Sequence, residues 1–259
     1  FGIILELLLN NMNKLSAVFW DVDGTIADTE LCGHRVAFNL AFKDFDLDWY
    51  WDEAKYIELL KISGGLNRIL HYREIIQSDL TNEHCSEIQT RKRSYYKNLI
   101  QSGRIKVRNG VLRLIRELAD SNIEQFIVTT SGRESLDPFL QTSLYSHKKF
   151  FSQIISYEDV INHKPFPDAY NLARKLSKQS NQNCIVIEDS CIGLEAAKAA
   201  NLKCLITLPP WSKSFKKINK NADACVDSLG SKEKQSKLFF GKPLINNIVD
   251  LAYLKQIIN

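Results

Sequence analysis

The chain predicts an α/β fold, a Rossmann-like parallel-sheet core with an inserted helical domain. Three observations carry this. Short continuous apolar runs alternate with amphipathic stretches, and three of those runs end abruptly in small polar clusters. One long stretch, from Thr29 to about Gly103, holds no strand-like run and patterns as helix throughout. Continuous apolar runs suit strands covered on both faces, and strands alternating with helices imply parallel pairing through right-handed crossovers.

The first strand is Ser16–Trp20, followed at once by Asp21-Val22-Asp23-Gly24-Thr25. Within the helical stretch, His34–Phe42 places Val36 and Leu40 at helical spacing, and Trp51–Ile62 carries Tyr56, Leu59, Leu60 and Ile62. Glu83–Leu99 reads as a long polar helix with Ile88, Tyr95 and Leu99 inward. Val111–Ser121 is an amphipathic helix, and Gln125–Val128 a second strand ending in Thr129-Thr130-Ser131-Gly132. Gln153–Ser156 is a short strand and Pro167–Gln179 a helix. Cys184–Ile187 is a fourth strand ending in Glu188-Asp189, Leu194–Ala200 an Ala-rich helix, and Lys203–Leu208 a fifth strand leading to Pro209-Pro210. Lys213–Lys220 and Ser231–Lys237 read as polar loops.

With 259 residues, 44% apolar and 25% charged, the chain has ordinary globular usage and enough length for a sizeable core. A net charge of +4 is too slight to point to nucleic acid or a membrane surface. The six cysteines lack any C-x-x-C spacing, so a zinc site is not expected and a reduced, cytoplasmic compartment is. Phe1–Leu9 is apolar but lacks a basic leader and is too short to span a bilayer. Met12, the single methionine, is expected to lie near the natural start, with residues 1–11 a dispensable extension.

Ligands of parallel sheets bind outside the carboxyl ends of the strands, and Asp21/Asp23, Thr129–Gly132 and Glu188/Asp189 all fall at such ends. Asp21 and Asp189, with Glu188, offer hard oxygen ligands suited to Mg2+. Thr129, Thr130 and Ser131 offer neutral donors to a phosphoryl group, and Lys164, braced by Pro165 and Pro167, offers a cation. A carboxylate nucleophile can form an aspartyl-phosphate, and a second carboxylate, Asp23, can protonate the leaving oxygen and then activate water. Taken singly, each cluster has a plainer reading. Thr129–Ser131 can be a turn, Lys164 a solvated lysine, and Glu188-Asp189 an N-cap for the next helix.

Asp21-Val22-Asp23-Gly24-Thr25, Thr129, Lys164 and Glu188-Asp189 resemble, in order and setting, the four motifs of the haloacid dehalogenase (HAD) superfamily of phosphatases. The resemblance implies Asp21 as nucleophile, Asp23 as general acid/base, and Thr129 and Lys164 as phosphate ligands. It also implies Mg2+ held by Asp21, the Asp23 backbone carbonyl and Asp189, with Glu188 in the same acidic set. Residues 29–105 correspond to the inserted cap of the superfamily's subclass I, and 1–28 with 106–259 to the catalytic core. Hinges are expected at Ala27–Thr29 and around Lys106–Gly110.

Thr29-Glu30, His34–Asn39, Asp48-Trp49, Trp51-Asp52, Tyr56, Glu58–Leu60, Gly64-Gly65 and Arg68-Ile69 are similar to the CbbY-like branch, sugar-bisphosphate phosphatases tied to carbon fixation. That likeness implies Glu30 and His34 facing the substrate and Arg68, beside Gly64 and Gly65, gripping the far phosphate of xylulose 1,5-bisphosphate. The expected partner is a small phosphorylated sugar, with no nucleic acid or membrane, acted on by a monomer. Trp49, Trp51 and Tyr56 are expected to be cap core. An alternative is a phosphosugar mutase of the β-phosphoglucomutase type using the same two aspartates; a second is a non-catalytic phosphoacceptor. Two departures stand out: one extra residue between Glu30 and His34, and Asn109-Gly110 where Pro-Gly is common.

Overall fold

A computed structural model describes residues 14–62, 64–209, 212 and 221–259. Residues 1–11, Met12 and the loop 213–220 lie outside the described residues. The chain divides into two compact units. The first comprises the described residues up to Ala27, Val107–Arg133 and Ser146–Asn259; the second comprises Asp28–Lys106 and Glu134–Tyr145.

The first unit is built on a seven-stranded sheet: β1 (Ala17–Trp20), β2 (Glu124–Val128), β3 (Gln153–Ile155), β4 (Cys184–Glu188), β5 (Lys203–Thr207), β6 (Ala224–Val226) and β7 (Leu238–Phe240). Their spatial order is β3-β2-β1-β4-β5-β6-β7, with every pairing parallel except β6–β7. The two strands beyond Lys203–Thr207 are new. Each is three residues long, too short to show a period in sequence.

β1 lies inside the sheet, between β2 and β4, with all four residues buried, which explains its unbroken apolar character. Phe19 meets Phe126 edge to face, with centroids 5.4 Å apart. Trp20 would leave an unsatisfied indole N–H, but Gln125, fully buried, accepts it at 3.1 Å and donates its own amide to Ile115 O at 2.9 Å. Strand order reverses between β1 and β4, the switch point at which parallel sheets open a crevice. Register fixes what lines it. Trp20 stands level with Ile127 on one side and Ile187 on the other, so the residues after all three emerge together.

Helices cover the sheet: α5 (Val111–Asp120), α7 (Asp168–Ser177), α8 (Cys191–Ala199) and α9 (Leu251–Ile258), numbered along the whole chain. Ser190 caps α8 by accepting Gly193 N–H, so the N-cap is the residue after Glu188-Asp189. Asp250 caps α9, which the sequence reading missed. All six cysteines are free thiols, and among the described residues no helix is long and apolar enough to cross a membrane.

The second unit contains α1 (Arg35–Asp44), α2 (Glu53–Leu59), α3 (Gly65–Ile75), α4 (Asn82–Gln101) and most of α6 (Arg133–Gln141). Residues 134–145, which the sequence reading left with the core, group by contact with this unit, and Ser143 Oγ donates to Ile105 O. Phe38, Phe42, Trp49, Trp51, Tyr56 and Tyr72 form one aromatic cluster. Trp51 and Tyr56 have no exposed surface. The inward face of α1 is Ala37, Phe38, Ala41 and Phe42, the neighbours of Val36 and Leu40 within the expected helix. In α4 the buried tyrosine is Tyr96, whereas Tyr95 is half-buried and gives its hydroxyl to Asp44.

The extra residue between Glu30 and His34 has a place. Glu30–His34 is a π-helical turn, closed by His34 N–H to Thr29 O at 2.7 Å. Such a turn absorbs one added residue without breaking the helix that follows. Gly33 is at its tightest point, where a Cβ would meet Ile105 at 2.7 Å and Tyr96 at 2.8 Å.

Candidate active site

Three loop starts deliver the polar residues of the first unit to the switch point. After β1, the Asp21 N–H extends the ladder to Ile187 O at 3.0 Å, and the chain then turns, with Thr25, Ile26 and Ala27 N–H groups all bonded to Val22 O. Gly24 makes this possible, with φ +89° and no Cβ to strike the Asp189 carboxylate. After β2, Thr129 is buried and its hydroxyl accepts Ser131 N–H at 3.0 Å. The Ser131 hydroxyl donates to Asp23 Oδ2, while Thr130 is exposed. β4 ends on Glu188 and Asp189 follows, both buried.

Lys164 ties these starts together. Its peptide bond to Pro165 is cis, and its side chain is 4% exposed. An ammonium has three N–H donors, and here they go to Asp21 Oδ1 at 2.8 Å, Val128 O at 2.9 Å and Glu188 Oε1 at 2.6 Å. Burial alone would discharge this lysine, but Asp21 and Glu188 hold its proton above the ordinary lysine range.

Lys164, with Arg108 acting on Asp189, does not balance three carboxylates. Asp21, Glu188 and Asp189 place ligand oxygens within 4.8 Å of one another. Burial first, and then Glu188, push the Asp21 carboxyl up to about 7 despite Lys164. Burial, with Asp21 and Glu188, pushes Asp189 well above the carboxylate range. An all-oxygen donor set with surplus negative charge fits a hard divalent cation such as Mg2+.

The site-residue candidates of the inserted segment gather in the second unit. Glu30 Oε2 accepts the Tyr56 hydroxyl at 2.6 Å and stands 4.0 Å from Arg68. Arg68 also donates to Ile62 O at 2.9 Å and lies over the Tyr56 ring. Gly64, at φ +87°, is the N-cap of α3 and accepts Arg68 N–H. Gly65 has a packing role of its own, since a Cβ would meet the Gln89 amide at 2.6 Å. His34 stacks on Tyr96 at 3.9 Å, and its Nδ1 faces Lys92 Nζ at 2.8 Å. With that ammonium donating, the ring proton sits on Nε2.

Burial, followed by Lys92 and Arg68, holds His34 neutral well below its ordinary range. The unfolded chain therefore binds a proton near pH 6.5 that the folded one refuses, so this contribution is intact above pH 6.5 and is lost on acidification. The expected loss is roughly 1.4 kcal/mol per pH unit below that point. Urea unfolding at pH 7.5 and 5.5 checks it: His34→Gln should lose less stability across the interval than the parent.

Sequence reasoning missed four supporting residues. Arg108 donates to the carbonyls of Gly24, Thr207 and Asp227, binding the β1 turn to the ends of β5 and β6. Tyr170 donates to Glu188 Oε1 at 2.8 Å, and Ser190 and Gly193 border the same carboxylate. Only Tyr170 carried a usable signal, as an apolar-face residue of the helix that follows Lys164-Pro165-Phe166-Pro167.

A central parallel sheet whose switch point carries a buried aspartate, an aspartate two residues on, a lysine and an acidic pair defines a hydrolase class. Residues 18–207 match the family of haloacid dehalogenase-like hydrolases, and the chain belongs to it. It is an enzyme of the phosphatase kind, similar to the CbbY proteins. CbbY of Cupriavidus necator is 34% identical over 204 residues, 76% of this chain and 80% of that protein. A crystal structure of CbbY from Rhodobacter sphaeroides with phosphate has a TM-score of 0.72 at 31% identity, covering 83% of this chain and 94% of that one. A mutant of the same protein, crystallised with xylulose-(1,5)bisphosphate, has a TM-score of 0.72 at 30% identity, covering 85% and 98%.

Proposed function

We propose that the protein is a Mg2+-dependent phosphatase that removes the 1-phosphate of a small sugar bisphosphate, xylulose 1,5-bisphosphate first among candidates, through an aspartyl-phosphate on Asp21. The observation that carries this is Asp21 itself, buried at the switch point with Lys164 on one oxygen and an acidic pair beside it. The likeness to a CbbY that binds xylulose-(1,5)bisphosphate supports the substrate class.

An Asp21 oxygen attacks phosphorus, the bond to the sugar oxygen breaks, and Asp23 delivers a proton to that oxygen. Asp23 then takes a proton from water, which attacks phosphorus and releases inorganic phosphate and free Asp21. Ser131 holds Asp23 in place by donating to Oδ2. Lys164 and the Thr129 hydroxyl, with Thr130 and Ser131 nearby in sequence, would bind the phosphoryl oxygens. Asp21, the Asp23 carbonyl and Asp189 would hold Mg2+, which when bound offsets charge on the transferring group. In the second unit we assign Glu30, His34, Gly64, Gly65 and Arg68 to substrate selection, Arg68 for its phosphate-matching fork.

Phosphate release across sugar mono- and bisphosphates with Mg2+ tests the reading, with xylulose and ribulose 1,5-bisphosphate included. Accumulation of an isomerised sugar phosphate instead of inorganic phosphate would establish a mutase. Arg68→Ala should raise KM for bisphosphates about tenfold or more, the scale of a lost charged hydrogen bond, while monophosphates change little. Equal losses on both would remove Arg68 from the far-phosphate role.

A further inference from the structure

Helix α5 turns Val111, Leu114, Ile115 and Leu118 to the core and leaves its opposite face open. On that face Leu112, Arg113, Arg116, Glu117, Asp120 and Ser121 recur in steps of one and three, so they form one continuous strip. The strip and His147 wall a groove of about 670 Å3 inside the first unit. Its second half lies away from the candidate active site. Ser121 and His147 come before β2 and β3 begin, whereas Asp21 and Thr129 follow strand ends. The five residues of β2 separate the two edges by roughly 15 Å.

Two groups in this half have unused hydrogen-bonding capacity. Arg116 is exposed and makes no hydrogen bond or ion pair among the described residues, although Asp120 stands one turn on. Arg113, by contrast, is consumed by the carbonyls of Leu229, Gly230 and Val249 and by Glu117. His147 is 6% exposed, and its Nδ1 meets the Ser146 hydroxyl at 2.9 Å. With that hydroxyl donating, the ring proton sits on Nε2, which has no partner among the described residues. A nearly buried donor beside a groove calls for an acceptor from outside.

The charge around the ring has one sign. Burial first, then Arg116 and Lys149, hold His147 below its ordinary range, and no carboxylate offsets them. Glu117 is taken by Arg113 and by the Leu251 N–H. An anion relieves a corner made of two cations and an N–H donor. The other end of the groove has the opposite character. α5 finishes at Asp120 with Ser121 as its C-cap, and a carboxylate beside the negative end of a helix favours donors. Hydroxyl groups suit that end, since Asp120 accepts and Ser121 both accepts and donates. From Arg116 to Asp120 is one turn, about 6 Å along the axis, the reach of a short carbon chain. The volume falls in the range of small-molecule sites, about 300–1,000 Å3.

We propose that this groove binds a small phosphorylated polyol, with its phosphate on Arg116 and His147 and its hydroxyls on Asp120 and Ser121. The Arg116 guanidinium gives a planar fork for two phosphate oxygens, and His147 Nε2–H gives a further bond. Lys149, exposed on the turn at Lys148–Phe150, adds long-range attraction. The site is independent of the reaction that Asp21 performs.

A 1H–15N NMR titration of the full chain without divalent cation tests this, with glucitol 6-phosphate as the probe. The amide signals of Arg116, Asp120 and His147 should shift saturably, with a Kd of about 1 mM or tighter. Signals of Thr129–Gly132 report binding at the strand-ending edge separately. Inorganic phosphate should move Arg116 and His147 but bind more weakly, and sodium chloride at matched ionic strength should move neither. Arg116→Ala should weaken glucitol 6-phosphate by more than about tenfold, the scale of a lost charged hydrogen bond. Ser121→Ala should weaken it about fivefold and leave inorganic phosphate unchanged. Both positions are exposed, so neither variant threatens the fold.

Absence of a saturable shift, an equal shift with sodium chloride, or parent-like affinity in Arg116→Ala would overturn the site. Shifts confined to Thr129–Gly132 would overturn it as well, by placing the probe at the candidate active site. Inorganic phosphate binding as tightly as glucitol 6-phosphate would overturn the polyol assignment.

Discussion

Asp21→Asn is expected to abolish phosphate release while the protein folds as before. The amide is nearly isosteric but has no anionic oxygen to attack phosphorus, and removing a group that acts in one unit with others costs on the order of 10^4-fold or more in kcat. The fold should tolerate the change because the site is over-supplied with negative charge. Asp21 is pushed up to about 7 by burial and by Glu188, so neutralising it relieves repulsion on Glu188 and Asp189. Lys164 keeps two acceptors, Val128 O and Glu188 Oε1. Without divalent cation, the thermal midpoint should therefore equal or exceed that of the parent; with Mn2+, the stabilisation by ligand should shrink, because binding energy to the folded state is lost. Retention of substantial activity would rule out a covalent intermediate on Asp21. A large drop in midpoint without metal would show that the carboxylate is structural.

The central sheet was legible because its strands are buried on both faces and so stand out as apolar runs. Ser16–Trp20, Gln125–Val128 and Cys184–Ile187 were found within a residue of their observed limits for that reason. The candidate site was legible because its polar residues follow those runs directly, and the register of β1 with β2 and β4 brings the three following segments level. What failed was short or hidden in helix phase. β6 and β7 have three residues each, and α6 contains Pro138, which masks a helical pattern. Tyr95 and Tyr96 cannot be told apart by apolarity; the difference lies in Asp44, which captures the Tyr95 hydroxyl at the surface. Arg108 is a surface-type residue in sequence, yet its guanidinium collects four backbone carbonyls from segments about 100 positions apart. No local pattern announces such a role. The same holds for His34, whose neutral state depends first on burial and then on Lys92, 58 residues away.

Asp23→Ala is expected to slow turnover of sugar phosphates by about 10^2- to 10^4-fold, the usual range for a lost acid/base. Asp23 differs from Asp21 in its setting. It stands two residues beyond Asp21, half-buried, and its Oδ2 is held by the Ser131 hydroxyl rather than by Lys164. In the proposed mechanism Asp23 exchanges protons and Asp21 attacks. The two aspartates can be separated by leaving group. A sugar alcohol is a poor leaving group and needs the proton; p-nitrophenol leaves readily as the phenolate and does not. With p-nitrophenyl phosphate, Asp23→Ala should therefore still form the phospho-enzyme quickly and then stall, because the water that clears it has lost its base. A burst of one nitrophenol per enzyme, followed by slow turnover, is the expected record, and Ser131→Ala should give a milder form of it. Equal losses on both substrates with no burst would mean that the Asp23 carboxylate acts before phosphoryl transfer, in binding, and the acid/base assignment would fall.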